Sequence, residues 1–343
     1  MNALQFLRGI VPEDDIVVIF NNDADGICSC ILLGKMLEKI GAKKPYIISQ
    51  PMPPDKDMIR RIQTTLPSKI ILLDMAIDQV PVTVKKIKGM CDMLVIDHHQ
   101  VFNDLNKQGI VHYNPRLSSP KVYQSASYLV YKLCSEIIDM KEFLWIAGVG
   151  MVADYNLEFS GDLVDEIKKA YMLSGNLYNT LLGRIADMIS AAKATKMLSC
   201  EQMAERMKAL NSPQEIENIS ELIESYRIID NEMISIMADA DSRHEKKGRV
   251  IFYGIKSKYN LGSPVSTKLS EKHKGMLIIV YEKKGSKIKV SARNQDGMNV
   301  AAVLKKAAAG MKASAGGHDA AAGASLQEKD WETFKQRVIE VVG

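Results

Sequence analysis

The chain has no apolar run near the roughly 20 residues that a membrane-spanning helix needs. Its start, Met1-Asn2-Ala3-Leu4-Gln5, lacks a basic region followed by a long hydrophobic stretch. A membrane protein is therefore not expected, and a cytoplasmic one is. Disulfide chemistry is lacking too. The five cysteines (Cys28, Cys30, Cys91, Cys134, Cys200) are odd in number and form no CxxC pair, so reduced core thiols are expected rather than a disulfide framework or a thiolate metal site. Aromatics are scarce at 6%. Phe252, Tyr253, Tyr259 and Tyr281 are the only candidates for base stacking in the basic part of the chain. There is no internal repeat and no low-complexity tract. The remaining composition, 46% hydrophobic over 343 residues, suffices for two domains with proper cores.

Apolar runs at 16–20, 45–49, 69–74, 93–97 and 110–114 alternate with helical patterns. This alternation predicts a mostly parallel α/β sheet with flanking helices. From Tyr123 to about Asp239 the pattern turns helical. The polar run Asp239 to Gly248 reads as a linker or its exit. A smaller α/β unit follows, with strands near 249–254, 276–282 and 286–292 and helices near 263–273, 299–310 and 330–341. The expected organisation is a catalytic domain over 1–195, a helical connector over 196–247 and a substrate-binding domain over 248–343. The alanine-rich region 307–324 is interrupted by Gly310, Gly316 and Gly317 and reads as a phosphate-approaching loop.

The sequence is most informative where strands end. Asp97-His98-His99 closes the apolar run Met93-Leu94-Val95-Ile96, which delivers a carboxylate and two imidazoles to the carboxyl edge of a sheet. Open α/β sheets bind their ligands at that edge. Asn21-Asn22-Asp23-Ala24-Asp25-Gly26 follows the strand Ile16 to Phe20. Asp23 and Asp25, two apart in extended chain, would lean to one side, and Gly26 would turn the backbone into a helix. Clustered carboxylates repel unless cations hold them, whereas a helix cap would account for only one of the two. Asp74 ends Lys69-Ile70-Ile71-Leu72-Leu73, and Asp154 ends a hydrophobic helix begun near Phe143. Carboxylates with a minority of imidazole favour Mn²⁺ or Mg²⁺ over Zn²⁺. Ser125, Ser127 and Asn114 read equally as substrate-facing groups or as a helix start and a turn.

Asp23-x-Asp25-Gly26, Asp74, Asp97-His98-His99 and Asp154, in that order, resemble the four-motif core of the DHH phosphoesterases. Gly316-Gly317-His318 followed by Ala320-Ala321-Ala322-Gly323 resembles the signature of the DHH-associated C-terminal domain. The motif spacing is similar to RecJ-type nucleases, and the chain length to compact archaeal RecJ-like single-strand exonucleases. The resemblance implies two-metal hydrolysis of a phosphodiester by two Mn²⁺ ions, with Mg²⁺ as a substitute. One ion would lie at Asn21, Asp23 and Asp74, the other at Asp25, Asp74, His98 and Asp154, with Asp74 bridging. Asp97 would orient a neighbouring histidine, and His99 would touch the scissile phosphate or help the leaving oxygen depart. Arg293, Gly316, Gly317 and His318 would grip substrate phosphate. Single-stranded DNA or RNA is the implied substrate, with replication or repair proteins as further partners. One position departs from the family. Asn21 stands where a metal-ligating His is usual, and its neutral amide oxygen is a poorer donor to a transition metal.

Charge distribution agrees with a polyanionic substrate. Residues 243–318 hold seventeen Lys or Arg against four acids. That segment carries +13 and leaves −9 on the rest of a chain whose net charge is +4. An acidic, metal-hungry lobe and a basic one suit a strand bound through its phosphates, without base-specific readout. The expectation is therefore a nuclease. Its alternatives are a strand-binding replisome scaffold with little or no activity, favoured by Asn21, and a small-molecule phosphohydrolase acting on pAp or a cyclic dinucleotide.

Overall fold

A computed structural model describes residues 1–155, 157–317 and 319–343. The chain folds as two compact units, Met1–Tyr226 and Arg227–Gly343. Among the described residues no helix is long and apolar enough to cross a membrane.

In the first unit, strands β1 (Ile16–Phe20), β2 (Tyr46–Ser49), β3 (Lys69–Leu73), β4 (Asp92–Ile96) and β5 (Val111–Tyr113) form a sheet in the order β2-β1-β3-β4-β5. All pairs are parallel. The near-continuous apolar runs follow from this, because such a sheet is covered on both faces. Val18, Phe20, Ile71, Leu73, Leu94 and Ile96 pack on one face against helices Ala24–Lys39, Ala126–Ser135 and Leu144–Ala153. Val17, Ile19, Ile70, Leu72, Met93 and Val95 pack on the other against Met58 and Ile62 of helix Lys56–Thr65 and Val84 and Ile87 of helix Pro81–Lys88. Each fully buried aliphatic side chain contributes about 1.5–3 kcal/mol. The strand order reverses between β1 and β3, and at such a switch point the flanking helices diverge and leave a crevice at the carboxyl ends of the strands.

The second unit begins within helix Ser220–Arg243. Its strands are β6 (Glu245–Lys247), β7 (Val250–Gly254), β8 (Leu277–Lys284), β9 (Lys287–Arg293), β10 (Ser314–Gly317) and β11 (Ala321–Gln327), ordered β10-β11-β9-β8-β7-β6. Only β7 and β8 pair in parallel. One sheet face packs on helices Val300–Ala307 and Trp331–Val342 through Val303, Leu304, Trp331, Phe334 and Val338.

Two stretches differ from their sequence reading. The polar run 239–248 is no linker: it completes helix Ser220–Arg243 and forms edge strand β6. Its charges pair locally, Arg243 with Asp239 and Lys335 with Glu245, and the Tyr253 hydroxyl donates to Asp239 at 2.8 Å. The alanine-rich region is not one loop either, since its described residues include two strands. Gly316 and Gly317 lie in β10, opposite Gly323 and Ala322 of β11, and small side chains let these two strands approach. At Gly317, with φ of 143°, a Cβ would sit 2.5 Å from the Ala321 carbonyl.

Candidate metal centre

Asp23 is the N-cap of helix Ala24–Lys39, and its Oδ1 accepts the Gly26 amide at 2.9 Å. Asp25 is not in extended chain, as the sequence suggested. It lies in the first helical turn, buried, where it takes the first two amides of helix Ala126–Ser135: Ala126 N–H at 2.7 Å and Ser127 N–H at 3.0 Å. Those amides have no partner within their own helix, and the helix dipole there favours an anion. Gly26 is needed for proximity rather than for a turn. It is helical, and a Cβ there would lie 2.3 Å from the Asn21 carbonyl oxygen.

Asp74 follows β3 with φ of 60°, a left-handed conformation unusual outside glycine. The strain turns its carboxylate into the switch-point crevice, 3.1 Å from His98 Nε2. His98 Nδ1 lies 3.5 Å from Asp154 Oδ2. Neither Asp74 Oδ1 nor His98 Nδ1 has a hydrogen bond, although both are buried. Buried polar atoms are seldom left unpaired, because each costs roughly 1–3 kcal/mol. Two groupings each offer three ligand atoms within 4.8 Å of one another: Asp74, His98 and His99, and Asp25, His98 and Asp154. The hard oxygens, an imidazole and the orphaned atoms fit a divalent cation.

The charges agree with that fit. Burial and the nearby Asp23 push the Asp25 carboxyl up to about 6, against the Ser127 hydrogen bonds. Burial and Asp23, Asp25 and Asp97 push Asp74 well above the usual range. The two histidines diverge. Burial, reinforced by His99, lowers His98 to about 4, so it is neutral with a lone pair to give. Burial also disfavours the His99 imidazolium, but the hydrogen bond and charge of Asp97, with Asp154 and Asp23, outweigh it and raise His99 to about 9. His99 Nδ1 is 2.8 Å from Asp97 Oδ1, so Asp97 orients His99 rather than His98.

Asn21 is turned away from ligation. Its Nδ2 donates to Asp23 Oδ2 and, at 3.3 Å, to Asp74 Oδ2, while its Oδ1 accepts the Asn22 amide at 2.9 Å. An N–H therefore stands where a ligand would present a lone pair. Asp23 belongs to neither three-ligand grouping among the described residues.

Two family models match this architecture, the DHH family N-terminal domain over residues 15–153 and the DHHA1 domain over residues 256–343. The chain is built of a DHH family N-terminal domain and a DHHA1 domain. Among solved structures, the DHH protein is similar to RecJ from Thermus thermophilus in complex with Mn²⁺, at 19% identity and a TM-score of 0.77, over 99% of this chain and 54% of that one. It thus spans about half the length of that RecJ. An exonuclease RecJ bound to manganese matches at 18% identity and a TM-score of 0.73, over 99% of this chain and 93% of that one. A pGpG-specific phosphodiesterase, PggH from Vibrio cholerae, matches at 15% identity and a TM-score of 0.53, over 96% and 98%. A comparison with curated protein sequences finds no match.

In the DHHA1 unit, Arg293 ends β9 beside Ala321, one register step from the Ala292, Ala322 and Gly317 row. Arg293 and the two glycines expected to grip phosphate thus lie near the same end of one sheet, on strands β9 and β10, with β11 between them. Arg293 Nε is buried without a hydrogen bond, and Gly316 lines a 670 Å³ cleft with Ser291, Gly323 and Ser325. His318 lies outside the described residues. Asn294 is structural: its Oδ1 accepts the amides of Asp296 and Met298. The expected base-stacking residues are not available in the way the sequence implied. Phe252, Tyr253 and Tyr259 are buried, and Tyr281 packs on Trp331 at 4.4 Å.

Tyr123 and Gly150 escaped sequence reasoning, whereas Ser125 and Asn114 take the helix-start and turn places it offered. The Tyr123 ring stacks on His98 at 5.1 Å and its hydroxyl donates to Asp154 at 3.3 Å. Asn114 donates to the His99 carbonyl at 3.0 Å, and Ser125 caps helix Ala126–Ser135. Gly150 admits the Asp25 carboxylate, since a Cβ there would lie 2.3 Å from Ser127 Oγ and 2.7 Å from Asp25 Oδ1. Its one sequence signal was a second glycine, two residues after Gly148, inside a hydrophobic helix. Gly150→Ala is expected to destabilise the protein by about 1–3 kcal/mol, as overpacking does, and to weaken Mn²⁺ binding. Thermal melts with and without Mn²⁺ test this; a variant whose metal-induced shift matches the wild type removes Gly150 from the site.

Proposed function

We propose that this protein is a phosphoesterase, a RecJ-like exonuclease or oligonucleotide phosphodiesterase acting on single-stranded DNA or RNA with Mn²⁺, or Mg²⁺ in its place. The observation that carries the reading is the pair of orphaned atoms, Asp74 Oδ1 and His98 Nδ1, buried among carboxylates at the sheet's switch point. Asp25, Asp74, His98 and Asp154 are assigned as the cation-holding residues. Bound divalent cations supply Lewis acidity and a water deprotonated near neutral pH. His98, neutral and stacked against Tyr123, keeps one ring nitrogen's lone pair available. His99 carries the opposite charge state: with Nδ1 held by Asp97, its Nε2–H is the edge left to meet a phosphate oxygen and protonate the leaving oxygen. The Lys and Arg of residues 243–318 would track the strand's phosphates. A reduced, cytoplasmic setting belongs to this reading, since all five cysteines are free and Cys28, Cys30 and Cys134 are buried.

A second reading, a strand-binding protein with weak turnover, is favoured by the Asn21 amide alone. End-labelled single-stranded DNA and RNA with added Mn²⁺, beside the dinucleotide pGpG, separate the possibilities. Mononucleotide release from the polymers supports the nuclease. Cleavage of pGpG alone would replace it with a dinucleotide phosphodiesterase, and binding without release would support the second reading.

His99→Ala is expected to lower kcat by about 10²- to 10⁴-fold, the range for a lost general acid. In the wild type the rate should fall as pH rises through about 9 and His99 loses its proton, with bound cation charge displacing that limb downward. A pH–rate profile that keeps its alkaline limb in the variant would remove His99 from the chemistry.

A further inference from the structure

Tyr155 directly follows Asp154 and is 75% exposed, an unusual state for a large aromatic residue beside a buried charge cluster. Its φ is 52°, a left-handed conformation that a bulky side chain adopts at a cost of order 1–3 kcal/mol. Such strain persists where the surroundings impose it, and here they include an aromatic stack. The Tyr155 ring lies 5.4 Å from that of Tyr178 at an interplanar angle of 23°. Tyr178 is itself half-buried in the short 3-10 turn Leu177–Asn179, whose start is capped by the Asn176 side chain. Helix Leu181–Thr195 then closes onto it: a Cβ on Gly183 would lie only 2.1 Å from the Tyr178 carbonyl oxygen. The pair is thus a fixed base with an exposed ring on top, one residue from a proposed cation-holding carboxylate.

We propose that Tyr155, backed by Tyr178, is a stacking platform for a nucleobase of the strand whose phosphate occupies the centre. The inference rests on the nucleic-acid reading above and narrows it: the substrate is recognised by a base as well as by its phosphates. A planar π-face takes any base, so the contact adds affinity without sequence preference. Because the ring is already held by Tyr178, little side-chain entropy remains to be lost on binding. The remaining exposed tyrosine surface near the centre has the chemistry to do this, whereas the aromatic residues of the basic segment lie in or against the second unit's core.

The test compares the full-length Mn²⁺-loaded protein with Tyr155→Ala and Tyr155→Phe, on a single-stranded oligonucleotide and on one of equal length whose nucleotides are abasic. The wild type should show a KM about 10- to 100-fold lower for the base-bearing strand. Tyr155→Ala should collapse the ratio of the two KM values towards one, and Tyr155→Phe should retain it. A ratio unchanged in Tyr155→Ala, or equal losses on both strands, overturns the platform. Stacking is also read without hydrolysis, as quenching of 2-aminopurine in a bound oligonucleotide that is lost in Tyr155→Ala and kept in Tyr155→Phe. If the wild type cleaves neither strand yet shows this quenching, the nuclease reading fails and the platform stands; quenching kept in Tyr155→Ala sinks the platform whatever the activity.

Discussion

Asp74→Asn is expected to abolish hydrolysis while raising the melting temperature of the metal-free protein. Asp74 is buried at 2% exposure beside Asp23, Asp25 and Asp97, and its carboxyl is pushed well above the ordinary carboxylate range by burial and by those charges. A group whose folded pKa is raised binds its proton more readily in the folded chain. Its ionised form therefore costs stability at neutral pH, and the cost is relieved as pH falls through the folded value. Asparagine is nearly isosteric, can still face the Asn21 amide, and removes the charge. A rise of a few degrees, the response to roughly 1–2 kcal/mol in a chain of this size, is the expected scale. Hydrolysis should fall by at least about 10²–10³-fold, because a group that organises charge in the transition state is gone. Melting with EDTA and with Mn²⁺ gives both readings. His98, held near 4, titrates with the opposite sign, gaining stability as pH rises from about 4 to its ordinary value, so the comparison is made at fixed pH between variant and wild type. A metal-free variant no more stable than the wild type would mean that the carboxylate cluster is not strained by its own charge.

Asn21→His should tighten Mn²⁺ binding by at least about tenfold, within the range by which altering a metal ligand's surroundings changes affinity. The native amide spends its N–H on Asp23 and Asp74 and one oxygen lone pair on the Asn22 amide, and so turns a donor rather than a lone pair towards the carboxylates. A neutral imidazole has a lone pair to turn there, and it suits Mn²⁺ better than an amide. Calorimetric titration should show added sites or higher affinity, with faster hydrolysis at limiting Mn²⁺. Unchanged stoichiometry and affinity would show that Asn21 is not what limits the centre.

The legible part of this protein was its periodicity. Five apolar runs between helical stretches were readable because a doubly covered parallel sheet needs strands apolar on both faces, and Val17 and Val18 now pack into opposite layers. The strand-end acids were readable for the same reason: an Asp after Leu73 or Ile96 can have only the sheet's carboxyl edge as its place. The polar run 239–248 was misread because a charged helix end and an edge strand look like a linker until their partners, Lys335 and Tyr253, are known. The alanine- and glycine-rich 307–324 region was misread because small residues that break a helix also let two strands meet.

The sequence by itself determined the fold class, the family and the set of acids and histidines, since these depend on residue type and on order along the chain. The tertiary structure alone decided which groups act together. Asp25 meets helix Ala126–Ser135 about a hundred residues away, Tyr123 stacks on His98, and Gly150 makes room for a carboxylate in another helix. It also separated the two adjacent histidines, placing one among buried carboxylates as a neutral imidazole and the other on Asp97 as an imidazolium. Neighbours in sequence share a backbone. Their protonation is set by what surrounds each ring in space, and no local pattern records that.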